Sequence, residues 1–194
     1  MYKCLIINLV VFIIFVNSDS HKPLFLPNLP FGEYRINYLG LLRCESIPNK
    51  IVFHLYLSKK SANATEIKGN ITNYIPFDDS LNLELNLAVK DSIGGWKENA
   101  FILKKSKSCS SLKILLGDVW TKVMEGGGAY NATCPLPKGF YKVHGVDTSV
   151  FNSVNVPKTF FYGVYKVRFS ITKINDVYGC FIVIIEVKRP WETD

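Results

Sequence analysis

Apolar and polar positions alternate strictly along much of this chain. Within residues 51–57 the odd positions are Ile51, Phe53, Leu55 and Leu57. Within residues 81–89 they are Leu81, Leu83, Leu85, Leu87 and Val89, and Asn82, Glu84 and Asn86 face the other way. A period of two places successive side chains on opposite faces, so both runs predict half-buried strands. Residues 66–74 predict a further strand, ended near Pro76. Gly94-Gly95 is turn chemistry, and residues 96–103 return as strand.

The period then changes. Leu112, Leu115, Leu116, Val119, Trp120 and Val123 recur at helical spacing and form one apolar stripe. This predicts an amphipathic helix over residues 110–125, capped by Ser110 or Ser111 and stopped at Gly126-Gly127-Gly128. Residues 139–146 read as strand. Residues 159–172 read as one long strand, apolar on both faces: Phe161, Tyr165, Val167, Phe169 and Ile171 on one, Phe160, Tyr162 and Val164 on the other. Residues 174–177 predict a hairpin turn, and residues 178–187 the returning strand. Residues 22–31, with Pro23, Pro27 and Pro30, read as an extended lead-in. Many strands with one short helix define an all-β class, an antiparallel two-sheet sandwich or cup.

The first residues change the compartment. Lys3 precedes an apolar run from Leu5 to Val16, and Val16-Asn17-Ser18 supplies residues suited to cleavage. This is the pattern of a signal peptide over residues 1–18, too short to be a comfortable membrane span. Residues 19–194 then form a single domain by the usual size prior. Of five cysteines, Cys4 leaves with the leader, and Cys44, Cys109, Cys134 and Cys180 remain. An even count behind a leader predicts two disulfides in a secreted protein, with a lysosomal destination left open. Three connectivities are compatible with the sequence alone. Asn63, Asn70 and Asn131 each head an Asn-x-Thr sequon and are the expected glycosylation sites.

The formal charge is +7, and about +6 once Lys3 is lost with the leader. The plain reading is a solvated basic surface, and the functional one is attraction to an anionic membrane surface. No basic run supports nucleic-acid binding. His21, His54 and His144 are scattered, with no H-E-x-x-H, C-x-x-C, G-x-S-x-G or P-loop spacing. Asp78-Asp79 reads as a turn. Neither a catalytic residue, nor a metal ligand, nor a cofactor is expected, and the chain is not expected to be an enzyme. The doubly apolar strands leave two arrangements: a second sheet fills the core, or the walls enclose a cavity for an apolar ligand.

Several phrases together resemble one family. Gly69-Asn70-Ile71-Thr72, Pro76, the alternating leucine strand and Gly95-Trp96 look like the first half of the ganglioside activator protein. The helix between cysteines, Cys134-Pro135, Gly139-Phe140-Tyr141, Gly163-Val164-Tyr165 and Gly179-Cys180 look like its second half. Asp91-Ser92, residues 134–139 and Tyr178-Gly179-Cys180 are similar to insect secreted chemosensory B-type proteins. The resemblance, to the ML-type lipid-recognition superfamily, covers roughly residues 40–188.

It implies a β-cup around an apolar pocket, a bound lipid or other hydrophobic small molecule, and no catalysis. It implies the pairs Cys44–Cys180 and Cys109–Cys134, with the second clamping the ends of the helix. The activator has more cysteines, some bracing a membrane-facing loop, so the resemblance points to a carrier or chemosensory role. Presenting lipid to a glycosidase, or docking on a cell-surface receptor without a cavity, are the alternatives. Chosen by residue type, the expected pocket residues are Phe101, Leu103, Leu116, Trp120, Phe140, Phe151, Phe160, Tyr162, Val164 and Phe169.

Overall fold

The structure, a computed structural model, describes residues 29–44, 50–61, 64–174 and 176–192. The leader, His21 and Asn63 lie outside the described residues. Ten strands are described: β1 (Phe31–Glu33), β2 (Arg35–Arg43), β3 (Ile51–Ser61), β4 (Ala64–Asn73), β5 (Asn82–Lys90), β6 (Trp96–Ser106), β7 (Gly139–Asp147), β8 (Thr159–Phe161), β9 (Gly163–Lys173) and β10 (Asp176–Lys188). They form a five-stranded sheet in the order β2-β10-β9-β5-β6, a three-stranded sheet β3-β4-β7 and a ribbon β1-β8. Every pairing is antiparallel. The all-β, two-disulfide class read from the sequence is therefore what the chain adopts, with the ribbon added to the two main sheets.

One helical run lies between β6 and β7. It comprises α1 (Ser108–Leu116), a 3-10 turn at Gly117–Val119 and α2 (Trp120–Gly126). It begins two residues before the predicted start, and neither Ser110 nor Ser111 is its cap residue. Lys107 occupies that position in a left-handed conformation and makes no side-chain capping bond. The cap comes from 31 residues away: the Ser110 N–H donates to Asp79 Oδ1 at 2.8 Å and the Ser110 hydroxyl to Oδ2 at 2.5 Å. A carboxylate suits this end of a helix, where unpaired N–H groups and the dipole carry positive charge. The Asp78-Asp79 turn thus also anchors α1 to the start of β5.

The Cys44–Cys180 and Cys109–Cys134 disulfides are both present. Cys44 directly follows β2, and β2 pairs with β10 in one sheet. That bond therefore joins neighbouring strands rather than opposite edges of the domain. Cys134 lies eight residues beyond the end of α2, so the second bond ties the first turn of α1 to the returning loop. It does not clamp the two helix ends. The same loop is fixed by a two-way bridge, Phe77 N–H to Leu136 O at 2.9 Å and Leu136 N–H to Phe77 O at 3.0 Å.

One predicted element differs, and one strand of the main sheets is additional. The strand expected over residues 159–172 is broken at Tyr162, so Thr159–Phe161 belongs to the ribbon. β2 was not predicted. Its pairing with β10 shifts between Ile184 and Ile185, which skips Leu39. Ile36, Tyr38 and Leu41 thereby face the partners Val187, Ile185 and Val183, and a strict alternation is lost in the sequence.

Complete burial is concentrated where β5, β9 and α1 meet. Leu81, Leu83, Ile171, Ile51 and Cys109 are each 2% exposed or less. Further along the same strands Leu85, Val167 and Phe169 are only half-buried, because the sheets no longer meet there.

Candidate functional site

The two main sheets and the helix enclose a cavity of about 410 Å³. That is on the order of a dozen water volumes, and within the usual range for small-molecule sites. One wall is the inner face of the five-stranded sheet: Leu85 from β5, Val167 and Phe169 from β9, and Phe181, Val183 and Ile185 from β10. The opposite wall comes from the three-stranded sheet, with Phe53, Leu55, Ile67, Ile71, Val143 and Val146. Phe53 packs between the sheets, its ring centroid 4.9 Å from that of Phe181 and 6.4 Å from that of Phe169. Leu112, Leu115, Leu116, Val123 and Met124 from the helix cover a third side.

Two local irregularities shape the second wall. In the β4–β7 ladder Ile67 pairs with Val146 and Gly69 with Val143, so β7 carries one extra residue there. The bulge lets Val143 and Val146, three apart, both face inward. Gly69 has φ +132°, and a Cβ on it would lie 1.9 Å from the His54 carbonyl oxygen. Only glycine brings β4 this close to β3.

Polar groups on the cavity wall are few and uncharged. The Tyr141 hydroxyl donates to the Pro137 carbonyl at 2.7 Å. Burial raises the pKa of Tyr141 and, more strongly, that of Tyr38, to which the nearby Tyr34 adds. Both phenols are thus neutral at physiological pH. Asn73, at the end of β4 and paired with Ile51, is 5% exposed. Its Oδ1 is buried and accepts no hydrogen bond from any described residue. Among the described residues no Lys, Arg, His, Asp or Glu lines the cavity.

Of the ten residues expected at the pocket, Leu116, Phe151 and Phe169 line it, and the other seven do not. Trp120 is 6% exposed and packs in the fully buried cluster. Its indole N–H donates to the Ala132 carbonyl at 3.0 Å and so holds the returning loop. Phe101 and Leu103 belong to the edge strand β6. Phe140 is 65% exposed. Phe160 is surrounded by the rings of Tyr34, Phe101, Phe161 and Tyr165. Tyr162, at the break between β8 and β9, donates to the Glu33 carbonyl at 2.9 Å and stacks under Arg189. Val164 alternates with the inward positions of β9 and faces away. These residues were chosen for size, whereas the fold selects by face. The inward set Phe53 and Leu55 was visible in the alternation, whereas Phe181, Val183 and Ile185 alternate with the equally apolar Ile182 and Ile184, so their face was not. Asn73 gave no such signal.

Asn70 lies half-buried on the outer face of β4, opposite His54 and Lys142, and Asn131 is exposed in the returning loop. A second concavity, of about 490 Å³, lies on the outer face of the five-stranded sheet and is lined by polar groups including Glu84, Lys104 and Arg168. Among the described residues no helix is long and apolar enough to cross a membrane.

Fold and cavity together define a disulfide-stapled, antiparallel two-sheet protein with an uncharged apolar interior. No protein-family model matches the chain, and no curated protein is significantly similar to it.

Proposed function

We propose that this chain is a secreted, non-catalytic binding protein of the ML lipid-recognition type, which holds a lipid or other small hydrophobic molecule between its sheets. The observation that carries the reading is the cavity of about 410 Å³ walled almost entirely by Leu, Ile, Val and Phe side chains. An apolar ligand gains roughly 0.8 kcal/mol per methylene removed from water. A chain of a dozen carbons therefore gains on the order of 10 kcal/mol without any charged contact, to set against the cost of association. The two disulfides and the leader pattern support an extracellular setting.

The test is direct. Protein secreted from an insect or mammalian cell line is analysed by native mass spectrometry, and then titrated with the fluorescent apolar probe N-phenyl-1-naphthylamine. A co-purified apolar ligand, or stoichiometric probe uptake displaced by dodecane, is the expected result. Absence of both refutes the reading.

A second reading is docking on a receptor protein. It is favoured by a surface aromatic pair, Phe31 and Phe161, which are 42% and 56% exposed with ring centroids 5.0 Å apart. It needs no ligand in the cavity and predicts that Phe31→Ser with Phe161→Ser abolishes cell-surface binding whether or not the protein takes up probe.

A further inference from the structure

We infer that the concavity of about 490 Å³ on the outer face of the five-stranded sheet is a second binding site, for a small acidic saccharide, independent of the apolar cavity between the sheets. The register builds it. β9 and β5 place Arg168 opposite Asn86, Ser170 opposite Glu84 and Thr172 opposite Asn82. β5 and β6 place Glu84 opposite Lys104 and Asn82 opposite Ser106. With a period of two, these positions share the face turned away from Leu85 and Phe169.

Charge singles out one residue on that face. Lys104, Lys166 and Lys188 are paired with Glu84, Glu98 and Glu186 at 2.9, 2.5 and 3.3 Å. Arg168 has no carboxylate partner among the described residues. Its Nε donates to Cys180 Sγ at 3.3 Å, so one edge of the guanidinium is held and both terminal nitrogens are left without a protein partner among the described residues. A planar fork of N–H donors fixed in this way suits a carboxylate or sulfate, which takes two parallel bonds.

The rest of the lining narrows the class. The Glu84 carboxylate accepts and the Lys104 ammonium donates side by side, and the hydroxyls of Ser106 and Thr172 do either. Neighbouring hydroxyls of a sugar ring donate to the first and accept from the second. A bare anion makes no use of these groups and is repelled by Glu84. At the rim, Ile174 is 85% exposed and has φ +55°. A β-branched side chain rarely takes that conformation, and such strain concentrates at ligand sites. Ile174 offers an apolar edge to the C–H face of a sugar ring. An anionic bilayer fits less well, because its attraction sums over several basic side chains at a surface, whereas here one unpaired guanidinium lies in a concavity.

The experiment titrates 15N-labelled protein with a heparin-derived disaccharide, and separately with maltose and with inorganic sulfate, at physiological ionic strength. Saturable shifts are expected at Asn82, Glu84, Ser106, Arg168 and Thr172. Affinity for the disaccharide is expected to exceed that for maltose or sulfate by at least about tenfold, and to fall about tenfold in Arg168→Gln with maltose binding unchanged, since a charge-assisted hydrogen bond is lost. Should circular dichroism show that the variant is unfolded, the wild-type shift map decides. Absent or unsaturable shifts, shifts centred on another face, or unchanged disaccharide affinity in folded Arg168→Gln overturns the inference. Sulfate binding as tight as disaccharide binding shows an adventitious ion only and also overturns it. So does co-sedimentation with phosphatidylserine vesicles by protein that ignores the disaccharide. Uptake of N-phenyl-1-naphthylamine, measured on the same samples, reports the inner cavity separately, so this inference and the binding function fail independently.

Discussion

Replacing Trp120 with Phe separates the groups that build the cavity from those that touch its contents. The indole is 6% exposed, and its N–H reaches the Ala132 carbonyl at 3.0 Å. Phe keeps an aromatic ring but cannot donate. The lost bond contributes about 0.5–1.5 kcal/mol net, and a carbonyl left without a partner costs about 1–3 kcal/mol when fully buried. Ala132 is only half-buried, so water relieves part of that cost, and the smaller ring adds a small void. The expected destabilisation is about 1–3 kcal/mol, which for a domain of this size lowers Tm by roughly 3–10 °C. Thermal melts followed by circular dichroism measure it. Because Trp120 does not line the cavity, probe affinity measured well below Tm is expected to stay within about twofold of wild type. A variant with wild-type Tm and lost probe binding would refute this reasoning, because it would place the indole against the ligand.

Two further outcomes follow from how the fold is tied. Cys44–Cys180 closes a separation of 136 residues and Cys109–Cys134 one of 25, so loop-closure entropy alone assigns them about 5 and about 3.5 kcal/mol respectively. Double serine variants are expected to melt in that order, with the Cys44/Cys180 pair lowest, and the reverse order would contradict the loop-closure account. Asp79 has its pKa lowered, first by the Ser110 hydroxyl and then by the Ser110 N–H. A depressed carboxylate stabilises the fold above its unfolded pKa and loses that contribution as pH falls through the lower folded value. The Tm difference between wild type and Asp79→Asn should therefore be constant from pH 7 to about pH 5 and narrow below about pH 4; a gap that persists unchanged to pH 2 would show that the charge plays no part.

The strands with a clean period of two were legible because each has one face in the interior and one in solvent. β3 and β5 read directly for that reason, whereas β10 is apolar on both faces and read as a strand without showing which face turns inward. β2 did not, because the bulge at Leu39 places Ile36, Tyr38 and Leu41 on one face at uneven spacing. The helical stripe was legible as a stripe, but the chain does not use it uniformly. Leu112, Leu115, Leu116 and Val123 face the cavity, whereas Val119 and Trp120 turn into the packed cluster after the 3-10 turn at Gly117–Val119. The aromatic residues 160–162 look like pocket walls in sequence. Phe160 and Phe161 belong instead to a ribbon, ended by the break at Tyr162, whose existence depends on β1, 126 to 130 residues earlier in the register. Long-range pairing of this kind leaves no local period. Asn73 was silent for a different reason: a polar residue at a strand end is ordinary in sequence, and becomes informative only when burial and the lack of a donor are seen together.

The distribution of charge carries the same division further. The ion pairs of the five-stranded sheet, such as Lys104–Glu84 at 2.9 Å, lie on its outer face, and the inner face of that sheet contributes only uncharged groups to the cavity. Among the described residues no charged side chain lines the cavity, and the charges of the outer face lie in contact with water, where salt screens them within about 10 Å. On the binding function proposed above, uptake of an uncharged ligand depends on apolar area, which does not respond to screening. Attraction of the whole protein to an anionic surface depends on charge and does respond. The fold thus keeps charged groups and apolar lining on opposite faces of the same strands, so a substitution such as Lys104→Glu changes the first without touching the second.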